Sequence, residues 1–82
     1  LDLAPEEAAL IELRLKLAAG LRNKRTVQGL TQTALARAMK SSQSRVAKME
    51  AGDHTVSLDL LVRSLFAMGT SNRELASMIS RR

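Results

Sequence analysis

The residues with the most chemistry to offer lie in one short stretch, "SSQSRVAKMEAG" at positions 41–52. Val46 and Met49 are three apart and fall on one side of a helix, leaving Gln43, Ser44, Arg45 and Lys48 on the other. A glutamine amide can donate and accept at once, which suits the paired donor and acceptor of an adenine edge. Arginine and lysine donate to the acceptors of guanine, and serine adapts to either. Such a face can recognise a hydrogen-bonding partner, and an enzyme is the least expected reading. The one histidine, His54, has no cysteine or second histidine to complete the three or four ligands of a metal site. No serine elbow or Gly-rich phosphate loop accompanies it. We therefore expect no enzyme, no metal and no cofactor. The same pattern also describes an ordinary solvated helix face, so spacing alone leaves both readings open.

Charge sharpens the question. The 82 residues carry 13 basic and 8 acidic side chains, a net charge of +5. Arg14, Lys16, Arg22, Lys24, Arg25, Arg37, Lys40, Arg45 and Lys48 follow one another with no acid between them. Asp2, Glu6, Glu7 and Glu12 come before, and Glu50, Asp53, Asp59 and Glu74 after. A basic centre between acidic flanks is the electrostatic footprint of a polyanion-binding face, or else a plain basic surface. Apolar residues make up 45% of the chain, enough for one small core, and Phe66 is the sole aromatic. The scarcity of aromatics argues against single-stranded RNA as the partner. No apolar run reaches the roughly 18–20 residues of a membrane span, no signal peptide is visible, and there is no cysteine. These features suit a cytoplasmic protein. The sequence starts at Leu1 rather than Met, as a trimmed chain would.

These side chains need helices to hold them. Pro5, Glu6 and Glu7 open the first, and Leu10, Leu13, Leu17 and Leu21 form its apolar stripe. Gly20 weakens its middle and offers a place to bend or break; Gly29 ends it. Thr31 caps "QTALARAM", which turns Leu35, Ala36 and Met39 inward. Ser42 caps the next helix and Gly52 closes it. "DHTV" reads as a loop. Ser57 caps a fourth helix with Leu58, Leu61, Leu65 and Met68 inward. Ser71 and Glu74 form a capping box before a last helix carrying Leu75, Met78 and Ile79. The expected fold is all-α with five helices, or six if Gly20 breaks the first. The second and third are separated by about three residues, the helix-turn-helix spacing in which the first helix braces the second. A plain helical hairpin has the same spacing.

From Gly29 to Gly69 the chain resembles the Cro/C1-type (XRE) helix-turn-helix family of bacterial and phage regulators. The matching positions are Gly29-Leu30-Thr31-Gln32, Leu35-Ala36, Ser42-Gln43, Val46, Met49-Glu50, Gly52, Ser57-Leu58, Leu61 and Ala67-Met68-Gly69. The likeness implies a lambda-repressor-like DNA-binding domain over residues 21–82, preceded by a helical extension over 1–20 similar to those of antitoxin-like regulators. It implies a recognition helix at about 42–51, with Gln43, Ser44, Arg45 and Lys48 toward base edges. Thr31, Gln32, Arg37, Lys40 and Ser42 would face phosphates, and Arg25 and Glu50 would form a structural ion pair. One position departs from the pattern: the family usually has glycine where this chain has Lys40, so a left-handed turn there would carry modest strain, about 1 kcal/mol.

The implied function is sequence-specific binding of double-stranded DNA and transcriptional regulation, with repression as its form and a homodimer as its state. Phe66, Leu75, Met78 and Ile79 are the expected dimer contacts, with or without the N-terminal extension; Phe66 fits the edge of the core equally well. The alternative is an antitoxin whose main partner is a toxin protein and whose DNA binding regulates its own synthesis. The operator, the effector and the dimer geometry are not written in the sequence.

Overall fold

The computed structural model describes residues 4–81, so Leu1–Leu3, with the acidic Asp2, and Arg82 lie outside the described residues. Five α-helices and no strand occur among them. The longest, α1 (Pro5–Val27), starts without a side-chain cap, since Ala4 has none to offer. Pro5 in the first turn and the carboxylates of Glu6 and Glu7 beside the positive end of the dipole favour its start; Lys24 and Arg25 suit its negative end. It runs unbroken through Gly20. Gly29, at φ 73°, turns the chain out of it.

The other four helices each begin on a hydroxyl that accepts a backbone N–H. Thr31 accepts from Ala34 ahead of α2 (Gln32–Ala38), Ser42 from Arg45 ahead of α3 (Gln43–Glu50), and Ser57 from Leu60 ahead of α4 (Leu58–Ala67). Ser71 and Glu74 bond reciprocally at the start of α5 (Asn72–Ser80), the expected capping box. Between α2 and α3, Lys40 adopts φ 55°, the left-handed conformation that glycine takes at no steric cost. The Ser41 N–H reaches back to the Ala36 carbonyl at 2.8 Å and closes the turn.

Leu17, Leu21, Leu35, Ala36, Val46, Met49, Val56, Leu61, Leu65 and Met68 form one buried cluster. Val56 belongs to the segment expected to be a mere loop, yet it is buried. Leu10 differs from expectation in the other direction. It continues the apolar stripe of α1, but the helix outruns the body, and Leu10 is 44% exposed while Leu13 is half-buried.

α1 acts as the spine against which α3, α4 and α5 pack. Several polar links hold it there. Arg14 donates to the carbonyl of Val56, Gln28 to that of Met68 at 2.9 Å, and Lys16 to that of Ile79 at 2.9 Å; Lys24 pairs with Glu74 at 2.7 Å. Gly20 has a packing role that its propensity does not suggest. A Cβ there would lie 2.5 Å from the Met78 sulfur, so the missing side chain makes room for the Met78 side chain of α5 against α1. Among the described residues, no helix is long and apolar enough to cross a membrane.

Candidate nucleic-acid interface

The α2–turn–α3 unit is built so that one side of α3 is fixed and the other is free. Val46 and Met49 are fully buried, packed in the same core as Leu35 and Ala36 of α2. The small Ala36 allows the close approach of the two helices. With those anchors inward, Gln43, Ser44, Arg45 and Lys48 are all exposed.

A chain of hydrogen bonds then runs from the interior to the tip of α3. Arg25 grips Glu50 with two parallel bonds, Nε to Oε2 at 2.6 Å and Nη2 to Oε1 at 3.0 Å, and its Nη1 donates to the Leu30 carbonyl at 2.8 Å. The pair is well covered, with side-chain exposures of 12% for Arg25 and 4% for Glu50. Gln32 donates to Glu50 Oε1 at 3.0 Å, and its own carbonyl oxygen accepts from Gln43 Nε2 at 2.7 Å. The first residue of α3 is thus oriented by the first residue of α2, which is held by the ion pair behind it. This arrangement leaves the Gln43 carbonyl oxygen and one of its two N–H groups for a ligand.

Electrostatics agree with this geometry. Burial pushes the Glu50 carboxyl up, but the hydrogen bonds from Arg25 and Gln32 and the positive charges of Arg25 and Arg22 outweigh it, holding its pKa below the ordinary glutamate value. Arg25, hydrogen-bonded to Glu50, is held above its ordinary value. The basic block divides into two sets. Arg14, Lys16, Lys24 and Arg25 are engaged by carbonyls or carboxylates of the fold. Arg22, Arg37, Lys40, Arg45 and Lys48 are exposed and take part in none of the ion pairs found among the described residues. Four of those five lie on α2, the turn or α3, and Lys40 and Arg45 line a shallow hollow with Ser41, Ser42, Met39 and Leu60.

The remaining expected site residues divide unevenly. Thr31 and Ser42 are exposed, and their hydroxyl oxygens cap α2 and α3. Ser42 Oγ also lies 3.3 Å from Ser44 Oγ. Gln32 is half-buried and bonded on both sides. Leu75 and Met78 are half-buried against their own chain's core, whereas Phe66 and Ile79 are exposed. His54 is almost fully exposed, 3.9 Å from Asp53, and no cluster of potential metal ligands occurs among the described residues. Sequence reasoning missed the Gln32–Gln43 bond. Its only signal is that two glutamines each take the first position of consecutive helices.

No curated protein and no solved structure gives a significant match to this chain. A family model described as a helix-turn-helix domain matches residues 16–78. That span begins inside α1 and includes the braced α2–turn–α3 unit, its core and nearly all of α5. It is well over half of the chain, which therefore belongs to the helix-turn-helix domain family, a family of DNA-binding domains.

Proposed function

We propose that this protein is a sequence-specific regulator of the Cro/C1 (XRE) kind, binding double-stranded DNA as a homodimer and repressing transcription by occupying an operator. The observation that carries the reading is the division of α3: Val46 and Met49 are fully buried while Gln43, Ser44, Arg45 and Lys48 are exposed beside one another. A helix anchored in this way can lie in the major groove with its N-terminal residues toward the bases. Gln43, steadied by Gln32, suits adenine; Arg45 and Lys48 suit guanine; Ser44 adapts to either. Arg37 and Lys40 are the phosphate anchors, with Thr31, Gln32 and Ser42 near the same strand. A single domain of this size buries too little surface for high specificity, so two copies on a palindromic site are required. Such a regulator works in the cytoplasm beside its DNA and has no catalytic role.

Selection of binding sites from random DNA tests the reading. A palindromic consensus is expected. Gln43→Ala and Lys48→Ala should alter which sequences are selected, whereas Arg37→Gln should weaken binding to every sequence about equally. If the wild-type chain selects no consensus, or Gln43→Ala selects the same one with the same discrimination, the readout assignment is wrong. The antitoxin reading draws on the start of α1, which precedes the family match and is exposed. Copurification of a small partner protein in place of self-association would favour it.

A further inference from the structure

Every residue from Pro5 to Glu12 is exposed, although α1 is already helical there. Ile11 is 47% and Leu15 53% exposed, Leu15 resting at the edge of the body beside Gly52. Ala4, Ala8, Ile11 and Leu15 recur at spacings of four, three and four. That is the narrow seam of a two-helix contact, displaced around the helix from Leu17 and Leu21, which enter the core. Glu7 and Arg14 flank the seam on one side and Glu12 on the other. With Glu6, Glu7 and Glu12 and no base before Arg14, this part of the helix repels phosphate, so its partner is protein rather than DNA.

We propose that the seam is covered by a second copy of this chain, α1 against α1, antiparallel about a twofold axis. The inference supplies the dimer contact for the regulator reading and rests on that reading only for its use on DNA. Antiparallel pairing with Ala8 opposite Ile11 of the second copy gives four layers: Ala4 on Leu15, Ala8 on Ile11, Ile11 on Ala8 and Leu15 on Ala4. Each layer joins one small and one large side chain, so the helices approach closely and evenly. A parallel pairing would stack alanine on alanine in the first two layers, leaving gaps there, and crowd isoleucine on isoleucine and leucine on leucine in the last two. The antiparallel register also sets Glu7 beside Arg14 of the second copy, twice by symmetry. Arg14 donates through Nη1 to Val56, and its other nitrogens carry N–H groups that a carboxylate can accept. The contact spans only about three turns of each helix, below the roughly 1,000 Å² of a stable interface, so the dimer is weak alone and is completed when both copies hold DNA.

Sedimentation equilibrium of the full chain without DNA tests the pairing, at concentrations up to roughly 300 µM to suit a weak complex. The wild type should show reversible dimerisation. Ile11→Glu should weaken it at least about tenfold, and Glu7→Lys several-fold. Both residues are exposed in the monomer, so helix content and Tm should stay unchanged, and Phe66→Ser should dimerise as the wild type does. A wild type that is monomeric throughout overturns self-pairing and leaves the seam to another protein. An Ile11→Glu variant that dimerises normally also overturns it, and a monomeric Phe66→Ser variant would move the contact to α4. The mass readout contains no DNA, so failure of the regulator reading, seen as loss of wild-type binding to any selected half-site, is a separate result.

Discussion

At the scale of single residues, Glu50 does the most work for its size. It neutralises a nearly buried guanidinium, fixes Gln32 and through it orients Gln43. Removing it leaves the Arg25 charge largely buried with no counter-charge and only the Leu30 carbonyl as a partner. Glu50→Ala should therefore destabilise the fold by about 2–4 kcal/mol, read as a fall in Tm or in the denaturant midpoint. An unchanged Tm would show that the pair contributes nothing net. The sign with pH follows from the depressed carboxyl. A carboxylate whose folded pKa lies below its unfolded value of about 4.3 stabilises the fold above that value, and the contribution is lost as pH falls through the folded pKa. The stability difference between wild type and Glu50→Gln should be full near neutrality and shrink below about pH 4. Gln32→Ala, which frees Gln43 while leaving the ion pair in place, should cost little stability but, if the proposed readout holds, blunt discrimination at the base proposed for Gln43.

At the scale of elements, local signals in the sequence were sufficient and distant ones were not. Thr31, Ser42, Ser57 and Ser71 mark four helix starts correctly because capping is settled within three residues. The inward set of α3 was legible from three-residue spacing. Leu10 was misread because periodicity reports which side of a helix a residue takes, not where the body beside it stops. Val56 was missed because a single buried residue in a loop has no period. The role of Gly20 depends on Met78, far along the chain, and propensity alone suggests only a weak point. A double-mutant cycle checks that role. Gly20→Ala should gain less than the about 1 kcal/mol that helix propensity offers, because Met78 must swing aside. In a Met78→Ala background the same change should recover the full gain. Equal gains in both backgrounds would mean that Gly20 does not accommodate α5. The turn into α3 gives a second check. Lys40→Gly should raise stability by about 0.5–1 kcal/mol by removing left-handed strain, while weakening binding to all DNA sequences through the lost charge.

For the whole molecule, net charge is a poorer guide than which charges remain free. Four cations of the basic block are tied into the fold, and of the five exposed ones Arg37, Lys40, Arg45 and Lys48 lie on the α2–turn–α3 unit. Counterion release scales with phosphates neutralised rather than with formal charge, so only the free set should set the salt dependence. With Arg37 and Lys40 as the charged phosphate anchors, about two per protomer, a plot of log affinity against log salt should fall with a slope of about −2 per bound protomer between roughly 50 and 200 mM salt. Arg37→Gln should reduce the steepness by about 1. Lys24→Gln removes the same formal charge, but from a side chain paired with Glu74 between α1 and α5, so it should lower stability slightly and leave the slope unchanged. Fluorescence anisotropy titrations of the three proteins on one labelled duplex make the comparison. Equal slopes for the two variants would mean that affinity follows overall charge, and that the division of the basic block between fold and surface does not govern how this protein meets DNA.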